Sequence, residues 1–371
     1  MVGRRVSGVD GGAAAGVRDG RSVGAYGAGG MATFLPGVRL AALFYSEVVR
    51  PLLGDLPHAA ARVGPGSDVL GYDSPRSTDH DWGPRLEVFL AAGTDGAAVS
   101  QRLRHELPAT FRGWSVHFAP AGARVRSMAP AHGPVEHYVT VTDLGQWCRD
   151  LLGFDPRTGA SVAQWLATPW QRLAEVTGGA VFHDDAGDLS AVRDRLRWYP
   201  DDLWRHVLAC QWRKIAQEEA FGGRAAEAGD EIGSLLVTGR VCREAVRLLL
   251  LLGRRWPPYE KWVGSAIRTD PVAPQLLGAL RAGGFAQRED ALCAVLEEAG
   301  RRQNALGLAV AVDPARRGYF DRPYQVVGAD RFAAALVAAI EDRELRERPL
   351  TGAVSQVLDN TDALMAEPTP R

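Results

Sequence analysis

The chain has 371 residues, of which 46% are hydrophobic and 23% are charged, so it can bury a sizeable core and is long enough for two domains. Its formal net charge of −1 provides no overall basic field, and we therefore do not expect nucleic acid as a partner. No apolar run approaches the roughly 20 residues that a membrane-spanning helix needs, so we expect a cytoplasmic protein that does not contact a membrane.

The first elements along the chain indicate a region of mixed α and β structure. Residues 1–30 are rich in Gly and Ala without periodicity and predict a disordered tail, or residues that precede a true start at Met31. Apolar residues at helical spacing predict an amphipathic helix between 37 and 53, and a second helix covers 95–111. Alternating or continuous apolar stretches predict strands in the segments HAAARV, RLEVFLAAG, WSVHFAP and VEHYVTVTD.

The pattern then becomes almost wholly helical, as in SVAQWLATPWQRLAEV and EIGSLLVTGRVCREAVRLLLLLG, with no fixed repeat period. We therefore predict an α+β fold with a disordered tail over 1–30, a mixed sheet with flanking helices over 31–155 and an α-helical domain over 156–371. The four cysteines stand tens of residues apart without a CxxC pair. This spacing excludes the usual zinc motifs and predicts buried, reduced thiols.

The segment GPGSDVLGYDSPRSTDHDW, residues 64–82, is the main candidate for a functional site. It is not a Walker loop, because no Gly-Lys-Ser/Thr occurs, and Val69 stands where a dinucleotide fingerprint needs its third glycine. A Gly-Ser turn can offer backbone N–H groups to phosphate oxygens. Asp79 and Asp81, placed on a strand, would share one face about 6.5 to 7 Å apart and could hold Mg²⁺. Taken singly, each feature is typical of an ordinary turn or cap.

The same segment resembles the signature of the DNA polymerase β-like nucleotidyltransferase superfamily: a Gly-Ser turn, a spacer and an Asp-x-Asp pair on a strand. More closely, the chain is similar to domain-of-unknown-function family 4037 (DUF4037) within that superfamily, through GSDVLGYDSPRSTDHDWGPRLEVFL, YPDDLW, GRAAEAGDEIGS, PPYEKW and DRPYQVV. The resemblance implies a nucleotidyltransferase-type sheet over 31–155 and Mg²⁺-dependent transfer of a nucleoside monophosphate, with ATP as the donor. The matching positions are Gly66, Ser67, Asp79 and Asp81.

The superfamily usually has a third carboxylate on a neighbouring strand. In VEHYVTVTD, Val139 and Val141 share one strand face and Glu136 lies on the other. Glu136 is our candidate for the third metal ligand or the general base, with Glu87 as the second choice. The alternative is a surface glutamate on an edge strand.

The helical half offers further candidates. One helix through GRAAEAGDEIGS would place Arg224, Glu227, Asp230 and Glu231 on a single side, facing the acceptor or acting as base, or forming a solvated face with internal ion pairs. Lys261 in PPYEKW is one of only two lysines, and an ammonium group suits a triphosphate. The similarity to aminoglycoside nucleotidyltransferases implies that it contacts the nucleotide phosphates. The alternative is a surface lysine with a packed stem.

The segment FHDDAGD could bind a metal through His183, Asp184 and Asp185. Consecutive residues rarely converge on one ion, so an exposed acidic turn is the favoured interpretation.

Two function classes remain open. The first is an enzyme that moves AMP from ATP to a hydroxyl of a small polar molecule, such as an aminoglycoside-like compound, with a protein or an RNA as the alternative acceptor. The second is a non-catalytic nucleotide-binding or interaction protein that has the same fold. The Asp-x-Asp pair favours the first class, and the unclear third acid favours the second.

Overall fold

A computed structural model describes residues 33–119 and 125–366 of the chain. The predicted tail over 1–30 and the alternative start at Met31 lie outside the described residues. The strands are β1 His58–Arg62, β2 Arg85–Leu90, β3 Thr110–Phe111, β4 Trp114–Ser115, β5 Phe118–Ala119, β6 Ser127–Met128, β7 Tyr138–Asp143, β8 Ala180–Asp184, β9 Arg317–Gly318 and β10 Gln325–Val326.

The helices dominate the second half of the chain. In chain order they are α1 Gly37–Phe44, α2 Arg50–Leu53, α3 Gly96–Glu106, α4 Leu144–Leu152, α5 Val162–Ala167, α6 Trp170–Thr177, α7 Asp188–Arg195, α8 Asp201–Glu218, α9 Phe221–Glu227, α10 Glu231–Leu252, α11 Glu260–Ile267, α12 Ala273–Arg281, α13 Phe285–Leu306, α14 Asp330–Ala338, α15 Arg343–Glu347, α16 Val354–Val357 and α17 Thr361–Met365. A π-helical stretch, Tyr45–Val49, joins α1 to α2, and 3₁₀ turns cover Pro75–Asp79 and Pro156–Thr158. The predicted helix between 37 and 53 is therefore present.

A four-stranded mixed sheet in the order β7-β2-β1-β8 forms the centre of the N-terminal half. The strand β1 pairs antiparallel with β2 and with β8, whereas β2 and β7 are parallel. The predicted mixed sheet with flanking helices is confirmed. The fourth strand was not predicted, because its sequence lies inside the stretch assigned to the helical domain. The pattern predicted almost wholly helical structure beyond 155 and missed β8 and the two-residue strands β9 and β10. The domain division itself stays a prediction.

Both faces of the sheet are buried. Ala60, Leu86 and Val88 pack on one face against α1 and α3, and Ala61 and Phe89 pack on the other against the helical half. A sheet covered on both sides needs apolar residues at successive positions, which explains why RLEVFL does not alternate. The segment WSVHFAP forms only the two-residue strands β4 and β5, so the long strand predicted there is absent.

Two expectations about composition can be compared with the structure. All four cysteines are buried and free, as predicted, and burial raises the pKa of each thiol to about 12. Among the described helices, none combines the length and the apolar character that a bilayer crossing requires.

Two helical glycines provide a matched test of packing in the helical half. A Cβ on Gly223 would lie 2.5 Å from Cγ of the buried Tyr324, whereas a Cβ on Gly239 would meet nothing within 4 Å. We predict that Gly223→Ala lowers the free energy of unfolding by about 1 to 3 kcal/mol, since the ring must shift. Gly239→Ala should raise it by up to about 1 kcal/mol through helix propensity alone. Urea denaturation measures both, and equal effects would contradict the packing described.

Candidate functional site

The turn that follows β1 contains two glycines with left-handed backbone conformations. Gly64 and Gly66 adopt positive φ angles of 79° and 155°. A Cβ on Gly66 would lie 2.2 Å from both Arg62 Nη2 and Asp68 Oδ1, so only glycine fits there. Among the described residues, no hydrogen bond uses the backbone N–H of Gly66 or Ser67. These two donors are therefore available to a ligand.

The buried Arg62 stabilises this turn through hydrogen bonds. The Arg62 guanidinium donates through Nε and Nη2 to the two carboxylate oxygens of Asp68, at 2.7 and 2.9 Å. It also donates to the Val63 and Pro65 carbonyls, at 2.6 and 2.8 Å, and to Glu87 at 3.3 Å. All five of its N–H groups are thus used.

A second buried arginine links the turn to the aspartate pair. Arg85 Nη2 donates to the Pro65 carbonyl at 2.9 Å, and Nη1 donates to the Asp81 carbonyl at 2.5 Å. The Arg85 guanidinium lies 4.2 Å from the centre of the Tyr138 ring. The Pro65 carbonyl, which accepts from both Arg62 and Arg85, fixes the turn to β1 and β2 at one point.

Burial and the neighbouring charges shift the pKa values of these buried groups in different directions. Burial would raise the pKa of Asp68, but Arg62 and Arg85 outweigh it and hold that pKa below its usual value. For Glu87 burial prevails over the same two arginines, and its pKa is raised. Burial would lower the pKa of Arg62, but its carboxylate partners outweigh burial, and the pKa is raised. For Arg85, burial and the neighbouring Arg62 both lower the pKa. The strongest ion pair in the cluster is therefore Arg62 with Asp68.

The aspartate pair does not lie on a strand, which corrects our sequence prediction. Asp79 ends the 3₁₀ turn, Asp81 has a positive φ of 46°, and β2 begins only at Arg85. The argument that both carboxylates share one strand face therefore fails. Asp81 tolerates this conformation better than most residues, because a short polar side chain can form local hydrogen bonds.

Contacts with Arg126 and with Tyr138 of β7 fix the position of Asp81. Its backbone N–H donates to the Arg126 carbonyl at 2.7 Å, and its Oδ1 accepts from the Arg126 N–H at 3.0 Å and from the Tyr138 hydroxyl at 3.2 Å. Its Oδ2 has no hydrogen-bond partner among the described residues. Asp79 is more exposed, and its Oδ1 lies 3.0 Å from Nδ1 of the exposed His80.

The candidate third carboxylates lie apart from this pair. Glu136 precedes β7 rather than lying on it, and its carboxylate pairs with Arg104 of α3. Glu87 is buried, and its Oε2 accepts from the Val63 N–H at 3.0 Å. Thr140 stands opposite Glu87 in the β2–β7 register. No third carboxylate joins Asp79 and Asp81 within the described part of the chain.

The donor set still fits Mg²⁺. This ion prefers hard oxygen ligands and is commonly held by one or two carboxylates, with phosphate oxygens and water filling the remaining positions. Asp79 and Asp81 would hold it, and Asp81 Oδ2 is the clearest free oxygen. The ion would stabilise negative charge on a phosphoryl group that is held at the turn.

The candidates in GRAAEAGDEIGS do not share one helix, which is a second correction. The helix α9 ends at Glu227, Gly229 has a φ of 74°, and Asp230 caps the new helix α10 by accepting from the Gly233 N–H at 2.8 Å. Sequence periodicity could not show this break, although Gly229 is typical of such a position.

These candidates instead form contacts within the helical half. Glu227 pairs with Arg322 at 3.0 Å, and Glu231 pairs with Arg288 of α13 through two hydrogen bonds of 2.7 and 2.8 Å. Arg224 lies over the Phe221 ring, 6.0 Å from its centre. The described contacts therefore do not bring Arg224, Glu227, Asp230 or Glu231 to the Gly66 turn, and their assignment to the site stays a prediction.

Lys261 lies closer to the candidate loop. Its Nζ is 4.9 Å from the centre of the Trp262 ring, and that ring stacks on Tyr72 with 5.3 Å between the ring centres. Tyr72 in turn donates its backbone N–H to the Ser67 carbonyl at 2.8 Å. A chain of direct contacts thus joins α11 to the Gly-Ser turn, and sequence reasoning missed the role of Tyr72 in it.

An open cleft of about 410 Å³ adjoins the same loop. Val69 and Leu70, immediately after the turn, form part of its wall. We call it the arginine cleft, because four arginines also line it: Arg193, Arg197, Arg254 and Arg255. Of these, Arg197 pairs with Asp194, and the other three have no ion pair with a described carboxylate. Burial, followed by the neighbouring Arg197, lowers the pKa of Arg193, whose guanidinium donates to the carbonyls of Val176, Thr177 and Gly178.

Comparisons with known proteins agree with part of the sequence interpretation. Residues 165–263 match the family described as domain of unknown function (DUF4037). Over this segment the predicted resemblance is confirmed. A crystal structure of a nucleotidyltransferase-like protein from Exiguobacterium sibiricum 255-15 is similar at 13% identity, covering 72% of this chain and 79% of that chain with a TM-score of 0.29. No curated protein matches the sequence.

Replacing Asp68 tests whether its ion pair with Arg62 stabilises the folded protein. Asp68→Asn leaves a buried guanidinium with one acidic partner fewer, so we predict a loss of about 3 to 5 kcal/mol in the free energy of unfolding at pH 7. The exposed Asp55→Asn should cost little.

The pH dependence of this difference has a definite sign. Because the pKa of Asp68 is lowered in the folded protein, its contribution is present above the unfolded value near 3.8 and is lost as the pH falls through the folded value. The gap between wild type and Asp68→Asn should therefore shrink in urea melts at about pH 3. A gap that is independent of pH would contradict the ion pair.

Proposed function

We propose that the protein is a Mg²⁺-dependent nucleotidyltransferase that moves AMP from ATP to a hydroxyl acceptor. The observation that carries the proposal is the pair of free N–H groups at Gly66 and Ser67, held rigidly above Arg62. Asp81 is tied to the same carbonyl of Pro65 through Arg85. The turn and one metal-ligating carboxylate are therefore fixed relative to each other without a ligand, as electrostatic catalysis requires.

Each residue has a definite task in this proposal. The N–H groups of Gly66 and Ser67 hold phosphate oxygens, and Asp79 and Asp81 hold the metal that offsets charge at the α-phosphate. The acceptor oxygen forms a bond to the α-phosphorus, and the bond between the α-phosphorus and the oxygen that bridges it to the β-phosphorus breaks. Pyrophosphate leaves, and the proton of the acceptor hydroxyl passes to water. Lys261, exposed beside Trp262, would contact the leaving phosphates.

The acceptor is an anion in this proposal. An aminoglycoside-like acceptor is a polycation and would need acidic residues, whereas four arginines line the arginine cleft beside Val69 and Leu70. Of these, Arg254 is exposed and has no carboxylate partner among the described residues. Arginine binds phosphate and carboxylate groups in a forked geometry. A hydroxyl compound that carries phosphate or carboxylate groups therefore matches this cleft best.

We predict that Asp79→Asn and Asp81→Asn each reduce nucleotidyl transfer by a factor of at least about 10³, on the order of 4 kcal/mol in the barrier. The fold should persist, because asparagine Oδ1 can still accept from the Arg126 N–H and the Tyr138 hydroxyl. Asp55→Asn is the matched control. Product formation from labelled ATP and Mg²⁺, paired with thermal melts, measures both effects. Full turnover in either variant would remove that aspartate from the chemistry.

The non-catalytic alternative has its own signature. It is favoured by the absence of a third carboxylate beside Asp79 and Asp81 among the described residues. In that case MgATP would raise the melting temperature of the wild type, since a ligand of the folded state stabilises it, but neither pyrophosphate nor a labelled adduct would form.

We also predict the charge of the acceptor. A metabolite extract separated by ion exchange should yield labelled adduct only with the fraction that an anion exchanger retains. Arg254→Ala should lower this yield at least about tenfold, because one charge-assisted contact is worth about 1.5 to 3 kcal/mol. Arg281→Ala removes an exposed arginine elsewhere and should change nothing. Adduct formed with the cationic fraction would contradict the assignment of the cleft.

A further inference from the structure

A second polar cluster lies at the other end of β1 from the Gly66 turn. His58 begins β1, His183 lies in β8, and Asp185 follows β8. Each residue offers one ligand atom, and the three atoms all lie within 4.8 Å of one another. The antiparallel pairing of β1 with β8 brings these residues together across more than a hundred positions of sequence. Among the described residues, no other group of three or more His, Cys, Asp or Glu side chains is close enough to share a metal ion.

The hydrogen bonds around His58 leave one ring nitrogen unprotonated. Nδ1 lies 2.6 Å from the Leu56 carbonyl, so it carries the proton and donates to that oxygen. Nε2 is then the unprotonated nitrogen and accepts from the Tyr45 hydroxyl at 2.9 Å, a hydrogen bond that a metal ion on Nε2 would replace. A histidine whose other N–H is fixed on a backbone carbonyl is the usual arrangement of a metal ligand.

The other two groups are already oriented towards each other. His183 Nε2 lies 2.8 Å from Asp185 Oδ1, and the centres of the His58 and His183 rings are 4.6 Å apart. Asp185 Oδ2 accepts from the His58 backbone N–H at 3.0 Å, which fixes the carboxylate against β1. In a metal-bound site the cation would take the place of a proton between these groups.

We propose that His58, His183 and Asp185 bind one zinc-class divalent cation. Two imidazoles and one carboxylate are the ligand types that zinc prefers, and water would take the fourth position. Ligand atoms in a tetrahedral zinc site are about 3.3 Å apart, given bonds of about 2.0 to 2.1 Å. Forming this geometry requires rotation of the partly exposed His183 side chain and of the exposed Asp185 side chain.

The ion would have a structural role. It would join the first residue of β1 to the end of the edge strand β8. The sequence of this end, FHDDAGD, had predicted an exposed acidic turn. The site does not depend on the proposed transfer reaction, because none of its residues contacts Asp79, Asp81 or the Gly66 turn among the described interactions.

The test uses the full chain, stripped with a chelator and titrated with Zn²⁺ in excess Mg²⁺ by calorimetry. We expect one saturable site, a raised melting temperature on binding, and the absorption bands of tetrahedral Co²⁺ when cobalt replaces zinc. His183→Gln and Asp185→Asn should each weaken binding at least about tenfold. Asparagine can still accept from the His58 N–H, so Asp185→Asn should fold.

Two controls separate the outcomes. His105→Gln removes an exposed histidine on α3, and Asp81→Asn removes a proposed magnesium ligand; both should bind Zn²⁺ as the wild type does. The absence of saturable binding in the wild type would overturn the site. Equal affinity in the wild type, His183→Gln and Asp185→Asn would overturn it as well.

Discussion

The buried Arg62 guanidinium is the constraint on which the candidate site depends. It uses five N–H groups on two carboxylates and two carbonyls, and its side chain is fully shielded from water. A buried charge of this kind is tolerated only when its partners are complete. Asp68, Glu87 and the turn carbonyls are therefore held as one unit, and the turn cannot relax without exposing an unpaired charge.

That unit extends from the turn to the aspartate pair. Arg85 shares the Pro65 carbonyl with Arg62 and carries the constraint to Asp81, while Asp68 lies beside Gly66 at the base of the turn. Ligand-binding donors that are fixed in advance lose little entropy when a ligand arrives. The buried ion pairs therefore hold the turn in one conformation, in which the N–H groups of Gly66 and Ser67 are free to bind a ligand. This link between packing and chemistry is what the transferase proposal rests on.

Much of the fold could be predicted from the sequence, because apolar periodicity identifies helices and strands directly. The sheet was predicted from RLEVFL and VEHYVTVTD, and the Gly-Ser turn from its residue types. The positive φ of Asp81 could not be predicted, since a contact with Arg126, 45 positions away, stabilises it. Nor could the burial of Arg62, because an arginine at the end of a strand is ordinarily solvated. The strand β8 and the His58–His183 contact were missed for the same reason: a tertiary pairing creates them.

Hydrogen–deuterium exchange of the full chain, with and without MgATP, tests the central claim most directly. Backbone N–H groups that bind phosphate exchange more slowly in the complex, so peptides that cover residues 64–72 should become protected. Peptides that cover 257–263, which contain Lys261, should show the same change, whereas 221–235 should not. Protection confined to other segments, or no protection of 64–72 at saturating MgATP, would contradict the assignment of the turn as the nucleotide site.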